Sequence, residues 1–264
     1  MSAIDRLPPS VLRAARVAGF VGVTAALLPT YALRDELAKR GPERAAVRDR
    51  WTRRWADGLL RVFGIRILQD GLGDHATDRT RGRLVVSNHR SAIDVAVMLR
   101  TFGGVMVSRA DLSKWPLVGA AARLSGTLFV DRQDKQSGAA TIRQIRDKLA
   151  RGHTVCIFPE GTTFDGDEVR PFQVGAFLAA LHQPVDIIPV GIAYESGSGA
   201  AFLNETFVQH LSRMASSPGA RVSMMIGESY AVPDKVRAQA LADEARKKVS
   251  ALVKIARQRV DHLA

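Results

Sequence analysis

The segment Leu84-Val85-Val86-Ser87, followed at once by Asn88-His89-Arg90-Ser91-Ala92-Ile93-Asp94, is a short β-like run that breaks into polar residues. A helix follows, with His89 in the turn and Asp94 in the first helical turn. Ser91 and Asp94 have the spacing of a capping box, which marks where that helix starts. A strand that turns through polar residues into a helix is half of a β–α–β unit. The turn then lies at the carboxyl end of a strand, where open α/β sheets hold ligands.

The same pattern repeats outward in both directions. β-like runs occur at Ile65–Leu68, Val105–Ser108, Thr127–Val130, Val155–Phe158, Ile187–Ile192 and Val222–Ile226. Helical patterns fill much of the space between, as in Ser137–Ala150 with Ile142, Ile145 and Leu149. Gly71–Arg83 reads as a polar loop, and Asp234–Leu263 as a long amphipathic helix. Strands alternating with helices predict an α/β fold with a mixed, largely parallel sheet flanked by helices. An N-terminal helical membrane-associating segment precedes it. The expected divisions are residues 1–63 for that segment, 64–233 for the α/β domain and 234–264 for a C-terminal helix packed on it.

Charge separates the flanks from the centre. The formal net charge of the 264 residues is +12; residues 1–66 carry +7, residues 234–264 carry +4 and the centre only +1. A nucleic-acid domain carries its charge on the folded body, so no nucleic-acid partner is expected. An anionic membrane surface fits basic flanks better. Val17 to Leu33 holds no charged residue over 17 positions, near the lower limit for a spanning helix. Gly19, Gly22, Thr24, Pro29 and Thr30 dilute it, which favours an interfacial helix over a full span. Arg13, Arg16 and the apolar stretch imitate a signal peptide, but the basic residues after Ala32 disfavour export. Beyond Pro42 and Glu43, Val47, Trp51, Trp55, Leu59 and Val62 form one stripe of an Arg-rich helix. Such a helix suits a lipid interface or a buried packing face.

One cysteine, Cys156, excludes a disulfide framework and a thiolate zinc cluster. It lies in the apolar run Val155-Cys156-Ile157-Phe158 and reads as core. His75, His153, His182, His210 and His262 show no paired metal-ligand spacing, so no metal is expected. No Gly-x-Ser-x-Gly elbow and no phosphate loop is present, which argues against a serine hydrolase and a nucleotide hydrolase.

Three segments carry polar groups at or near strand ends, and a fourth is a strand with an early proline. In the first, His89 is suited to take a proton from an alcohol near neutral pH. Asp94, five residues on, can curl back to its other ring nitrogen, although a capping box alone also explains the acid. The second is Phe158-Pro159-Glu160-Gly161-Thr162-Thr163-Phe164-Asp165-Gly166, a Gly-rich turn with one carboxylate and two hydroxyls. The third, Gly126-Thr127-Leu128-Phe129-Val130-Asp131-Arg132, ends in a guanidinium that suits a phosphate or an ion pair. The fourth, Ile188-Pro189-Val190-Gly191, reads as packing.

In this order the four segments resemble the glycerolipid acyltransferase family, the bacterial lysophosphatidic acid acyltransferases in particular. The family shows Asn-His-x-x-x-x-Asp, Gly-x-x-Phe-(Ile/Val)-(Asp/x)-Arg, Phe-Pro-Glu-Gly-Thr and a Pro-Val block, here spread over Asn88 to Gly191. The resemblance implies His89 as general base and Asp94 as its partner. It implies Arg132 on the acceptor's phosphate, and Glu160, Gly161 and Thr162 in acceptor binding. Arg109 stands near a position where relatives often have lysine. The implied reaction moves a fatty acyl group from acyl-coenzyme A or acyl carrier protein to a lysolipid hydroxyl, most simply that of 1-acylglycerol 3-phosphate. The carrier is a co-substrate and no cofactor is implied. The implied place is the cytoplasmic face of the cell membrane, with peripheral or monotopic attachment.

Two departures bear on the acceptor. Thr163 and Gln173 stand where phosphate-acceptor relatives commonly carry arginine and lysine, and Arg170 is the nearest substitute. A lysolipid without that phosphate, such as a lyso-ornithine lipid, is therefore the alternative. A non-catalytic membrane-binding module would have lost His89 or Asp94, and a thioesterase would use the same pair on water.

Overall fold

The computed structural model describes residues 7–38, 42–71, 81–115, 118–131 and 133–262. All seven β-like runs of the sequence are strands. They are β1 (Ile65–Asp70), β2 (Gly82–Ser87), β3 (Val105–Arg109), β4 (Leu128–Val130), β5 (Thr154–Ile157), β6 (Val185–Tyr194) and β7 (Ala220–Ile226). A two-residue strand that periodicity could not show, β8 (Tyr230–Ala231), pairs with β6. The sheet order is β1-β7-β6-β2-β5-β3-β4. Every pair is parallel except β6–β7 and β6–β8. This is the mixed, largely parallel sheet expected.

Pro189 sits inside β6 without breaking it. The β8 ladder ends at Ile187 and the β7 ladder begins at Val190. The residue that lacks an N–H thus falls in the gap between two partners on that edge. Gly191 has a packing reason. A Cβ there would lie 2.4 Å from the backbone of Leu252 and Val253. The C-terminal helix α8 (Ala238–His262) therefore rests directly on β6.

Alternate strand residues feed two cores, as the pleat requires. Val85, Cys156, Ile188, Val190 and Ile192 face one layer, with α3 (Ile93–Phe102) and α7 (Phe207–Ser216). Leu84, Val86, Val155, Ile157 and Ile187 face the other, with α5 (Lys135–Ala150), α6 (Gly175–Ala180) and α8. Cys156 is buried in the first layer, and that burial pushes its thiol up to about 12. It is a core residue.

The N-terminal segment differs most from expectation. The uncharged run is the middle of a longer helix, α1 (Pro9–Leu37), with Pro9 in its first turn. At 1.5 Å per residue it reaches about 43 Å, and by length and composition it could cross a membrane. One stripe of it is nevertheless buried, at Leu12, Arg16, Thr24 and Tyr31. The second helix, α2 (Pro42–Val62), brings Trp51 and Trp55 into the same core as the sheet. The indole of Trp51 donates to Leu27 O at 2.9 Å, and that of Trp55 to Thr24 Oγ1 at 3.1 Å. Arg16 is 1% exposed and reaches across to Met214 O and Ser217 O at the end of α7. Thus α1 and α2 contribute to the same core as the sheet. The expected polar loop also ends earlier, because Gly82 and Arg83 already belong to β2; residues 72–80, His75 included, lie outside the described residues.

Candidate active site

Parallel β2, β5, β3 and β6 end at one edge of the sheet, and the polar segments gather there. Asn88 leaves β2 but prolongs its pairing. Its amide donates to Ile192 O and accepts from Ile192 N, both at 2.8 Å, as a strand residue would. The chain can then swing out at His89 while the turn stays attached to β6.

His89 Nδ1 lies 2.9 Å from Asp94 Oδ2. Asp94 is in the first turn of α3 and its side chain is fully buried, whereas His89 is 18% exposed. The same Asp94 oxygen accepts from the backbone of Arg90 at 2.6 Å and of Ser91 at 2.8 Å. Capping and orientation of the imidazole are therefore one arrangement. Asp94 Oδ1 accepts from the Tyr194 hydroxyl at 2.6 Å. A carboxylate can only accept, so Nδ1 carries the proton and Nε2 keeps its lone pair. The His89 ring stacks on Phe158, centroids 4.0 Å apart and planes within 5°. Its tilt is thus set by the second polar segment.

His89 stands in the wall of a cavity of about 540 Å³, within the range of small-ligand sites. Phe20, Trp55, Phe63, Leu99, Met106 and Leu211 make it largely apolar. Gly161 and Thr162 also line it, and among the described residues Arg13 and Arg109 are the cations in its lining. Arg109 is exposed and also paired with Asp111 at 3.0 Å.

Glu160 departs from expectation. Its side chain is fully buried and does not line the cavity; it is held by Arg90 Nη1 at 2.8 Å. It supports the turn instead of facing an acceptor. Burial pushes its carboxyl above the usual carboxylate range, and Arg90 opposes this without cancelling it. Arg90 also donates to Gly166 O at 2.6 Å, His89 O at 2.7 Å and Glu168 O at 2.7 Å. One guanidinium therefore ties the first polar segment to the second. Arg132 lies outside the described residues. Arg170 does not line the cavity; it sits over the Phe164 ring at 5.3 Å and pairs with Glu168. Among the described residues no group of three or more His, Cys, Asp or Glu could hold a metal ion.

Sequence reasoning missed Tyr194, the pairing role of Arg90, and a second histidine–carboxylate pair. His210 Nδ1 lies 3.0 Å from Glu205 Oε1, and Nε2 lies 3.2 Å from Ser91 Oγ. The five-residue spacing of Glu205 and His210 matches that of His89 and Asp94, which was the available signal.

Residues 72–193 match the family described as Acyltransferase. The lyso-ornithine lipid O-acyltransferase of Pseudomonas aeruginosa is 30% identical over 209 residues, covering 77% of this chain and 78% of that one. The 1-acyl-sn-glycerol-3-phosphate acyltransferase of Neisseria gonorrhoeae is 27% identical over 128 residues, 48% of this chain and 50% of the relative. The fold matches the crystal structure of the 1-acyl-sn-glycerophosphate acyltransferase PlsC of Thermotoga maritima, with a TM-score of 0.72, 18% identity and coverage of 93% and 94%. Identity at that level across three quarters of two chains, on top of the four motifs in order, places this protein in the acyltransferase family.

Proposed function

We propose that the protein moves a fatty acyl group from acyl-coenzyme A or acyl carrier protein to the hydroxyl of a lysolipid, 1-acylglycerol 3-phosphate first. The observation that carries this is the 2.9 Å contact between His89 and buried Asp94 at the wall of an apolar cavity. His89 Nε2 takes the hydroxyl proton as that oxygen attacks the thioester carbonyl. Asp94 stabilises the imidazolium that forms. The carbon–sulfur bond then breaks, and the imidazolium returns the proton to the leaving thiolate. A thioester is already activated, so no acyl-enzyme is required. Phe20, Phe63, Leu99 and Leu211 suit a chain of methylenes, and Gly161 and Thr162 are placed for the polar end. Among the described residues, Arg13 and Arg109 are the cavity cations available to a phosphate.

A second reading, a lysolipid without the phosphate such as lyso-ornithine lipid, has its own support. The Thr163 hydroxyl, at a position where a cation is common, is committed to Phe202 O at 2.8 Å. An acceptor panel with radiolabelled acyl-coenzyme A tests both. Lysophosphatidic acid as the preferred acceptor, by tenfold or more, is the expected result. The opposite order assigns the second reading, and free fatty acid as the only product overturns transfer.

Attachment to the cytoplasmic face of a membrane belongs to the same proposal. Val11, Val17, Val21 and Leu33 are exposed along α1, and Val208 on α7. Deleting α1 would uncover Trp51 and Trp55, so point charges are the cleaner test. Val17→Glu with Val21→Glu and Leu33→Glu should move the protein from the membrane pellet to the soluble fraction. Unchanged sedimentation removes α1 from the lipid contact.

A further inference from the structure

The apolar cavity has a mouth between two helices, with a cation on its rim. Val17 on α1 and Val208 on α7 both line the cavity, yet they are 52% and 57% exposed. Between these helices the cavity therefore reaches the outer surface. Arg13, one turn before Val17, lines the same cavity and is also exposed.

Strand directions place this rim at the edge of the reacting groups. β1 is parallel to β7, β7 antiparallel to β6, and β6 parallel to β2. β1 thus begins at the edge where β2 ends. A Cβ on Gly58 would meet Val23, and one on Gly19 would meet Val62, so α1 runs antiparallel to α2. Val62 comes three residues before β1. The turns of α1 that precede Gly19 therefore lie at or past the edge that carries His89. Arg13 stands about 9 Å along the helix axis from Gly19.

Arg13 and Arg16 have opposite fates. Arg16 is buried and donates to Met214 O and Ser217 O, which fixes this end of α1 on α7. Arg13 makes no hydrogen bond or ion pair among the described residues. The other cation of the lining, Arg109, is committed to Asp111. No Asp or Glu is among the described lining residues. An unpaired guanidinium at the rim of an apolar cavity without acids suits a phosphate, which it can hold with two parallel hydrogen bonds. Of the two substrates, the acyl carrier is water-soluble and the acceptor comes from a bilayer. The exposed apolar face proposed to meet lipid belongs to the same helix as Arg13.

We propose that the lysolipid acceptor enters sideways from the bilayer between α1 and α7, and that Arg13 holds its phosphate at that rim and selects for it. The identity of the ligand rests on the acyl-transfer reading. The acyl chain passes along Val17 and Val208, the phosphate stays outside on Arg13, and the hydroxyl points inward toward His89. Specificity for the head group is thus set by a residue of the N-terminal helix, outside the four motifs.

The purified protein in neutral detergent micelles is assayed with radiolabelled acyl-coenzyme A and one of two acceptors. These are 1-acylglycerol 3-phosphate and 1-acylglycerol, which offers the same hydroxyl without the phosphate. Arg13→Gln should raise KM for the phosphate acceptor roughly tenfold or more. kcat, KM for acyl-coenzyme A and KM for 1-acylglycerol should each stay within about twofold. Arg13→Lys should recover part of the loss. Val208→Trp, which narrows the mouth, should raise KM for both acceptors and leave that of acyl-coenzyme A. Arg54→Gln removes an exposed cation of α2 that does not line the cavity and should match the parent. A second readout needs no turnover. On a His89→Ala background, Arg13→Gln should weaken binding of radiolabelled 1-acylglycerol 3-phosphate by the same factor. Parental KM and parental binding in Arg13→Gln overturn the proposal. So does an equal rise in KM for acyl-coenzyme A, or an equal effect of Arg54→Gln. Weakened binding in a protein that acylates neither acceptor would keep the phosphate site and reject the transfer.

Discussion

His89→Ala leaves a folded protein whose kcat/KM for lysolipid acylation is lower by about 10²–10⁴-fold. The factor is that of a positioned general base, and neither nearby carboxylate replaces it. Asp94 is fully buried, and Glu160 is turned away and bound to Arg90. The fold should tolerate the change, because the only ring nitrogen bonded is Nδ1, and Asp94 keeps three other donors: two backbone amides and Tyr194. Loss of the stack on Phe158 is the main structural cost. The measurement is initial rate on the panel's best acceptor, beside circular dichroism of the same preparation. A parental rate from well-folded His89→Ala removes the imidazole from the mechanism.

The second large effect is on stability. Arg90→Ala should cost about 3–5 kcal/mol, because removing one partner strands a buried charge. It leaves Glu160 without its guanidinium and three carbonyls, of His89, Gly166 and Glu168, without their donor. Differential scanning calorimetry should show Tm lower by roughly 10 °C. Activity should fall further than folded fraction explains, since Arg90 also fixes the segment on which Phe158 and Gly161 ride. Replacing both Arg90 and Glu160 with leucine should recover much of the stability and little of the rate. If Arg90→Ala melts within 2 °C of the parent, the pair does not hold the two segments together.

What could be read in advance, and what could not, divides along sequence distance. The strands showed themselves because a buried parallel strand is a short apolar run bounded by turns. His89 and Asp94 were legible together because five residues separate them across a strand-to-helix turn. Tyr194 was not, because its partner is 100 residues away and meets it only through the pairing of β6 with β2. Arg90 and Glu160 are 70 residues apart, so the carboxylate looked free for an acceptor when its neighbour was already chosen. The helix α1 was underestimated for a related reason. Arg13, Arg16 and Arg34 seemed to bound an apolar run, yet all three are helical, and Arg16 is buried against a partner 198 residues away. His89 and Asp94 meet through local geometry, whereas the surroundings of Glu160 come from distant parts of the sequence.

The bare Cα of Gly191 ties these distances together. It stands three residues before Tyr194 and one before Ile192, to which Asn88 is laced, with the spine of α8 in contact on the other side. A methyl group at that point would have no free volume to enter, so either helix or strand must yield. Any yielding of the strand is delivered straight to the hydroxyl that touches Asp94 and to the turn that carries the imidazole. A lesion on the rear surface of the sheet would therefore register as an enzymatic defect, with every reacting group chemically intact.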